Sequence, residues 1–311
     1  MFALLLLAGC QSTWKSTIAV IPRDTAEEVW VAEHGGAVDE AFKRHLNIYW
    51  NGPSRDDDVE RQIALVEGAV TRRYYGIIIS PNNSFALSTS IQQAISSGVP
   101  VVITSSGIPI APEPGLSFVL NDATRMGQIA AQRMNTILNG KGTVAILGLD
   151  YLSPGTVERS NAFEECLHRI APRIKIVAKV SEAYGFGQAE LAAEQTIRAH
   201  PGLSAIFTLD FNDTRGTLAA VGSIRPTHRI RIIGCDQTFY LLFLLRRGDL
   251  DALVAEDTRT MGSRAVEEIA SERRGQPVPS RVLIEPVLVD RDNVDDPSIQ
   301  QILSVRWRPQ S

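Results

Sequence analysis

Short, nearly all-apolar runs alternate with amphipathic stretches along most of this chain. Thr17–Ile21, Asn47–Trp50, Gly76–Ser80, Val99–Thr104, Thr143–Leu147, Lys175–Val180, Ala205–Leu209 and Arg229–Gly234 read as strands. They lack the in–out alternation of a half-exposed strand, so they predict strands covered on both faces. Between them, Val29–Arg44, Asp57–Arg72, Phe85–Ser97, Thr124–Leu138, Val157–Ile170, Ala189–His200, Thr214–Ser223 and Phe239–Arg247 repeat apolar positions at helical spacing. Gly and Pro mark the joins, as at Gly98-Val99-Pro100 and Gly140-Lys141-Gly142. Strand–helix repetition of this kind predicts right-handed βαβ crossovers and parallel sheets, an α/β fold.

The alternation comes in two blocks. The first ends near Thr104 and is followed by a poorly patterned stretch, Ser105–Gly115, holding Pro109, Pro112 and Pro114; a short strand, Ser117–Leu120, leads into the second. After Leu250 come a strand (Ala252–Ala255), a helix (Thr260–Arg274) and a strand region (Arg281–Val289), too little for a third domain. This tail is expected to complete the earlier blocks, giving two doubly wound lobes joined by several crossing strands. The expected division is 17–120 with 256–281 for one lobe, and 121–255 with 282–311 for the other.

Composition narrows the function classes. The 311 residues are 44% hydrophobic and 21% charged, with a formal net charge of −4, and no Lys/Arg block supplies the footprint of a nucleic-acid binder. Three cysteines are too few for a disulfide scaffold; Cys166 and Cys235 are expected as buried thiols, with a bridge between them left open. The start, Met1–Cys10, is an apolar run ending Leu7-Ala8-Gly9-Cys10. Ten apolar residues fall short of the ~20 a bilayer span needs. They read as a secretory leader (1–10) whose lipobox cysteine, Cys10, takes lipid, with 11–16 as a tether. No Lys or Arg precedes the run. The expected location is the periplasm or cell surface, on the membrane through Cys10.

Open α/β sheets bind ligands at the carboxyl ends of their strands. Polar groups gather at those points in this sequence: Arg23, Asp24 and Glu27 with Trp30 after the first strand, Ser80 after the third, and Ser105-Ser106 after the fourth. In the second block they are Arg159 beyond Leu147, Tyr184 beyond Val180, Asp210 after Leu209, Asp236 after Gly234 and Glu256 after Ala255. Carboxylates and amides that pair with vicinal hydroxyls, guanidinium donors, and an aromatic face for C–H surface are the set a sugar needs. Each has a plainer alternative. Trp30 could be a core residue, Arg159 could pair with Glu158, and Asp236 could cap the helix from about Thr238.

The order and spacing of several segments resemble the ribose-type, sugar-binding class of bacterial solute-binding proteins, which share their fold with LacI-type ligand domains. The segments are Ile18–Pro22 with Trp30, Trp50-Asn51-Gly52-Pro53, Gly76–Asn82, Gly98–Val102, Glu158-Arg159 with Phe163, His200–Phe207, Gly234-Cys235-Asp236, and Arg259–Gly262 after Glu256. The resemblance spans nearly the whole mature chain and implies a type I periplasmic binding fold. It also implies ligand positions at Glu27, Val29, Trp30, Ser80, Ser105-Ser106, Arg159, Tyr184, Asp210, Asp236 and Glu256, to which the strand-end reading adds Arg23. Arg159 and Asp236 match the family pattern, and Trp30 matches as a ring wall. The family often has Asp at Ser105 and Gln at Glu256, and usually Asn at Asp210 and an aromatic at Cys235. These departures gather carboxylates against few cations, which disfavours an anionic ligand.

The expected function is therefore binding of a neutral or amine-bearing sugar or polyol and its delivery to an ABC permease by hinge closure. No catalytic step, metal or organic cofactor, nucleic-acid partner or obligate oligomer is expected. A sensory module for a chemoreceptor or histidine kinase is the alternative. A LacI-type regulator would need several dozen residues for a DNA-binding headpiece where Met1–Ser16 stand. Enzyme motifs are poor: Gly185-Phe186-Gly187 is followed by Glu190 at the third glycine place, and Ser12–Lys15 fits S-x-x-K within the tether. The histidines, His34, His45, His168, His200 and His228, lack metal-ligand spacing.

Overall fold

The computed structural model describes residues 16–304 apart from 56, 152 and 182–185. Two six-stranded sheets organise it, each belonging to one lobe. The first sheet is built from β1 (Thr17–Ile21), β2 (Asn47–Trp50), β3 (Gly76–Ile79), β4 (Val101–Ser105), β5 (Leu116–Asn121) and β11 (Arg281–Ile284), in the spatial order β11-β5-β4-β3-β1-β2, all parallel. Helices α1 (Glu28–Lys43), α2 (Val59–Thr71), α3 (Ser88–Ser96) and α9 (Thr258–Arg273) accompany it. One apolar cluster packs Leu65, Val66 and Ile91 beneath Ala19, Ile77 and Ile79; another packs Ala37, Ala41 and Val266 above Ile18, Val20 and Ile78. Successive strand residues therefore point into two separate cores, which is why these strands carry no polar alternation.

The second sheet uses β6 (Gly142–Leu147), β7 (Ile174–Val180), β8 (Ala205–Thr208), β9 (Arg231–Cys235), β10 (Ala252–Ala255) and β12 (Val287–Val289), ordered β12-β10-β9-β8-β6-β7, with β12 antiparallel to β10. Helices α4 (Ala123–Leu138), α5 (Pro154–Ile170), α6 (Phe186–Ala199), α7 (Phe211–Ile224), α8 (Phe239–Arg247) and the short α10 (Pro297–Ile302) complete this lobe. Among the described residues no helix is long and apolar enough to cross a membrane.

The chain passes between the lobes at β5–α4, β10–α9 and β11–β12. Two of the passages end in an aspartate cap. The Asp122 carboxylate accepts from Arg125 N at 2.8 Å, and that of Asp257 from Thr260 N at 2.9 Å. Caps of this kind are worth ~1 kcal/mol each, and here they start the helix directly after the crossover. The third passage corrects the sequence reading of Arg281–Val289 as one strand region. Glu285-Pro286 divides it, Pro286 having no N–H to donate to a ladder, so β11 joins the first sheet and β12 the second. The expected boundaries shift accordingly. Asn121 and residues 282–284 stay with the first lobe, because Asn121 pairs in register with Ile284.

Two helix contacts are closer than side chains normally permit. A Cβ on Gly36 would stand 1.9 Å from the Arg259 carbonyl oxygen, and one on Gly127 would stand 2.3 Å from that of Arg159. The missing side chains let α1 lie on α9 and α4 on α5.

Candidate ligand cleft between the lobes

In each sheet the strand order reverses beside the first strand of the block, between β1 and β3 and between β6 and β8. Such switch points open a crevice at the carboxyl ends of the strands. Both crevices contribute to one cleft of about 90 Å³. The first lobe supplies Arg23, Glu27, Val29, Trp30, Ser105 and Ser106. The second supplies Arg159, Asp210 and Asp236, while Asn121 and Glu256 sit at the crossing strands.

Asp24 shapes the first wall. Its buried carboxylate accepts from Ala26 N at 2.7 Å, Glu27 N at 3.0 Å and Trp30 Nε1 at 3.2 Å. One side chain thus fixes the loop after β1 and the indole behind it. Trp30 lines the cleft while being only 5% exposed. Glu27, beside it, has its carboxyl pushed up to about 8 by burial, with Asp24, Asp236 and Asp210 adding repulsion and Arg23 opposing.

The second wall centres on Arg159. Its Nη1 donates to the Leu209 carbonyl, and its Nη2 to Glu256 Oε1 at 3.0 Å, both side chains being buried. Glu158, the partner considered from sequence, instead accepts from Thr124 Oγ1 at 2.6 Å. Glu256 is held on its backbone by Gln237, whose amide receives Glu256 N at 3.0 Å and donates to the Glu256 carbonyl at 2.7 Å. Burial, with Glu256 and Asp210 nearby, pushes the Asp236 carboxyl up, and Arg159 counters. The fully buried Cys235 thiol rises to about 12 by burial, despite Arg159 beside it. Cys235 and Cys166 are both free.

Asp236 does not cap α8. Thr238 does, accepting from Leu241 N at 3.2 Å, whereas Asp236 Oδ2 accepts from Phe211 N at 3.0 Å. Its backbone has φ 65°, a left-handed value that turns the carboxylate from β9 toward α7. Asp210 caps α7, accepting from Asp213 N at 2.9 Å, and still lines the cleft.

Ser105 takes φ 64° at the end of β4, its N–H directed at the Met261 sulfur 3.2 Å away. Ser80 is not in the cleft lining. It is buried below, 2.7 Å from Thr104 Oγ1 and donating to Glu33 Oε2 at 3.1 Å. Glu33, fully buried, is pushed up to about 7 by burial, with those two hydroxyls opposing. Tyr184 and Cys10 lie outside the described residues. Sequence reasoning missed Asn121, the polar residue that closes β5. Asn121 Oδ1 and Ser106 Oγ are buried in the cleft wall without a hydrogen-bond partner. Such groups cost about 1–3 kcal/mol unless something else binds them.

The cleft also has a rim contact from lobe to lobe. Glu28 Oε2, on α1, accepts from Phe239 N at the start of α8 at 2.7 Å. Oriented acceptors and donors thus converge from two lobes on a small space.

This architecture and cleft are those of a type I periplasmic binding protein. The chain belongs to the periplasmic binding protein domain family, whose model matches residues 18–277. It is 27% identical over 235 residues to the ribose import binding protein of Bacillus subtilis (strain 168), covering 75% of this chain and 73% of that one. A D-apiose import binding protein of Actinobacillus succinogenes is 23% identical over 289 residues, 89% of this chain and 88% of its own. Among solved structures, a sugar ABC transporter's sugar-binding protein from Bacillus halodurans superposes with TM-score 0.83 at 26% identity, covering 90% of this chain and 99% of that chain. A solute-binding protein from Agrobacterium vitis, bound with α-D-tagatopyranose, superposes with TM-score 0.85 at 19% identity, over 92% and 98% of the two chains.

Proposed function

We propose that the chain captures a neutral or amine-bearing sugar or polyol in this cleft outside the cytoplasm and delivers it to an ABC importer, with no bond made or broken. One observation carries the reading: acceptors and donors from both lobes, Glu27 with Arg23 and Asp210 with Asp236, line a single space whose rim is bridged by Glu28 and Phe239. A ligand that bonds to both walls stabilises only the closed arrangement, so binding and closure are coupled. The names of the relatives support the ligand class and the importer.

The charges decide between ligand types. Glu27, Asp210, Asp236 and Glu256 face Arg23 and Arg159, and Arg159 is already paired with Glu256. With Arg159 already neutralised by Glu256, an added anion finds no unpaired guanidinium on that wall to offset its desolvation. With its carboxyl near 8, Glu27 is largely protonated at pH 7 and offers a donor to a sugar oxygen. Asn121 Oδ1 and Ser106 Oγ are ready acceptors for hydroxyls. Lipid anchoring through Cys10, supported by the Leu7-Ala8-Gly9-Cys10 sequence, belongs to the same proposal.

Isothermal titration over pentoses, hexoses, polyols, amino sugars and sugar acids tests it. The expected result is saturable binding of a neutral or amino sugar that is lost in Asp236→Asn and Arg159→Ala. Tight binding confined to sugar acids, or normal binding by both variants, would overturn the reading.

A further inference from the structure

A second concavity lies at the opposite end of the first sheet, where β4 and β5 begin. It encloses about 350 Å³, within the range of small-molecule sites, against about 90 Å³ for the cleft. The chain from Val101 to Ser105 separates the two along β4, about 13 Å at ~3.3 Å per residue. Its walls are apolar and stiff, with Pro112, Pro114, Pro277 and Pro279 at the rim and Leu116 and Ile269 deeper.

Its charged lining is of one sign. Glu113, Glu268 and Glu272 line it, and no Lys or Arg does. Glu268 is the informative one. It is 2% exposed and projects from α9. Arg264 Nε donates to its Oε1 at 3.2 Å; burial raises the carboxyl above its ordinary range, and the Ser117 hydroxyl and Arg264 only partly offset that. Its Oε2 is buried without a hydrogen-bond partner. A buried carboxylate oxygen left unbonded is costly, and the cost is removed by a donor entering from the open side. Glu113, exposed on the rim, and half-buried Glu272 add negative potential at the mouth. Proline and leucine walls suit a short carbon body behind the donor.

We propose that this concavity is a binding site for a small organic cation, an ammonium or guanidinium on an apolar stem, with Glu268 Oε2 as its acceptor. The site stands on groups that play no part in the sugar cleft, so the two readings succeed or fail separately.

Ligand-observed saturation-transfer NMR with n-butylammonium, and with n-butanol as an uncharged match in shape, tests the assignment on the full chain at pH 7. The expected result is saturable n-butylammonium binding, no n-butanol binding, and affinity at least about tenfold weaker in Glu268→Gln, the loss of one charge-assisted bond. Glu113→Gln, an exposed change that leaves the buried acid in place, should weaken binding about twofold by removing rim potential. Sugar binding should be unchanged in both variants. Equal signals from the amine and the alcohol, or full n-butylammonium affinity in Glu268→Gln, would overturn the proposal. Should Glu268→Gln unfold, unaltered binding in Glu113→Gln would overturn it instead.

Discussion

Glu28→Ala is expected to weaken sugar binding without touching the sugar. The Glu28 carboxylate takes the Phe239 N–H at 2.7 Å, at the first turn of α8, from the other lobe. A net hydrogen bond contributes ~0.5–1.5 kcal/mol, and an anion at an exposed helix N-terminus ~0.3–1 kcal/mol. The two overlap here, and Phe239 is 62% exposed, so about 1 kcal/mol is a fair total. Opening the lobes separates the pair, so the whole amount falls on the closed state. Closure is coupled to binding, and about 1 kcal/mol becomes a roughly fivefold rise in Kd. Glu28→Gln keeps an acceptor without charge and should fall between the two. Calorimetric titration at low and high salt provides the assay, the gap between wild type and Glu28→Ala narrowing as salt screens the charge. An unchanged Kd, or an equal loss of stability with and without sugar, would refute the latch.

Gly127→Ala should lower stability by ~1–3 kcal/mol in urea unfolding and weaken binding as well, because its methyl would meet the backbone of Arg159; full affinity in a destabilised variant would separate Arg159 from the α4–α5 contact. Arg159→Met should cost ~3–5 kcal/mol by leaving Glu256 buried and unpaired, and adding Glu256→Gln should restore stability but not sugar binding. The pH dependence of the unliganded protein has a definite sign. Carboxyls raised to about 8 at Glu27 and about 7 at Glu33, and raised at Asp236, hold protons in the folded state that the unfolded chain has released. Stability should therefore fall as pH rises from 6.5 to 8. His34, lowered by burial to about 4, acts oppositely but below its ordinary 6.5. Melting curves check this, and Glu27→Gln should flatten the slope.

Much of the fold was legible because the central strands, such as β1, β3, β8 and β10, are buried on both faces and most helices on one. Phe239–Arg247 matches α8 residue for residue, and Thr17–Ile21 matches β1. What escaped was set at long range. Six-residue α10 has no periodicity to detect, and it is held by Ile299 packing with Val294 and Leu303. The division at Glu285-Pro286 appears only when two separate sheets compete for neighbouring strands. Within the cleft, the strand-end rule located Glu27, Arg159, Asp210, Asp236 and Glu256 from local sequence. It could not show that Ser80 bonds to Glu33 from α1, or that Arg159 reaches Glu256 across 97 positions. It also passed over Asn121, whose place in the cleft follows from a crossing strand.

Two lobes that close on a small hydroxylated solute and release it unaltered must become more compact as the site fills. Small-angle scattering during titration with the best sugar from the calorimetric panel tests it directly, with the recovered sugar checked by mass spectrometry. The radius of gyration should fall in step with occupancy, and the sugar should be recovered intact. Constant dimensions at full occupancy, or a chemically changed sugar, would contradict it.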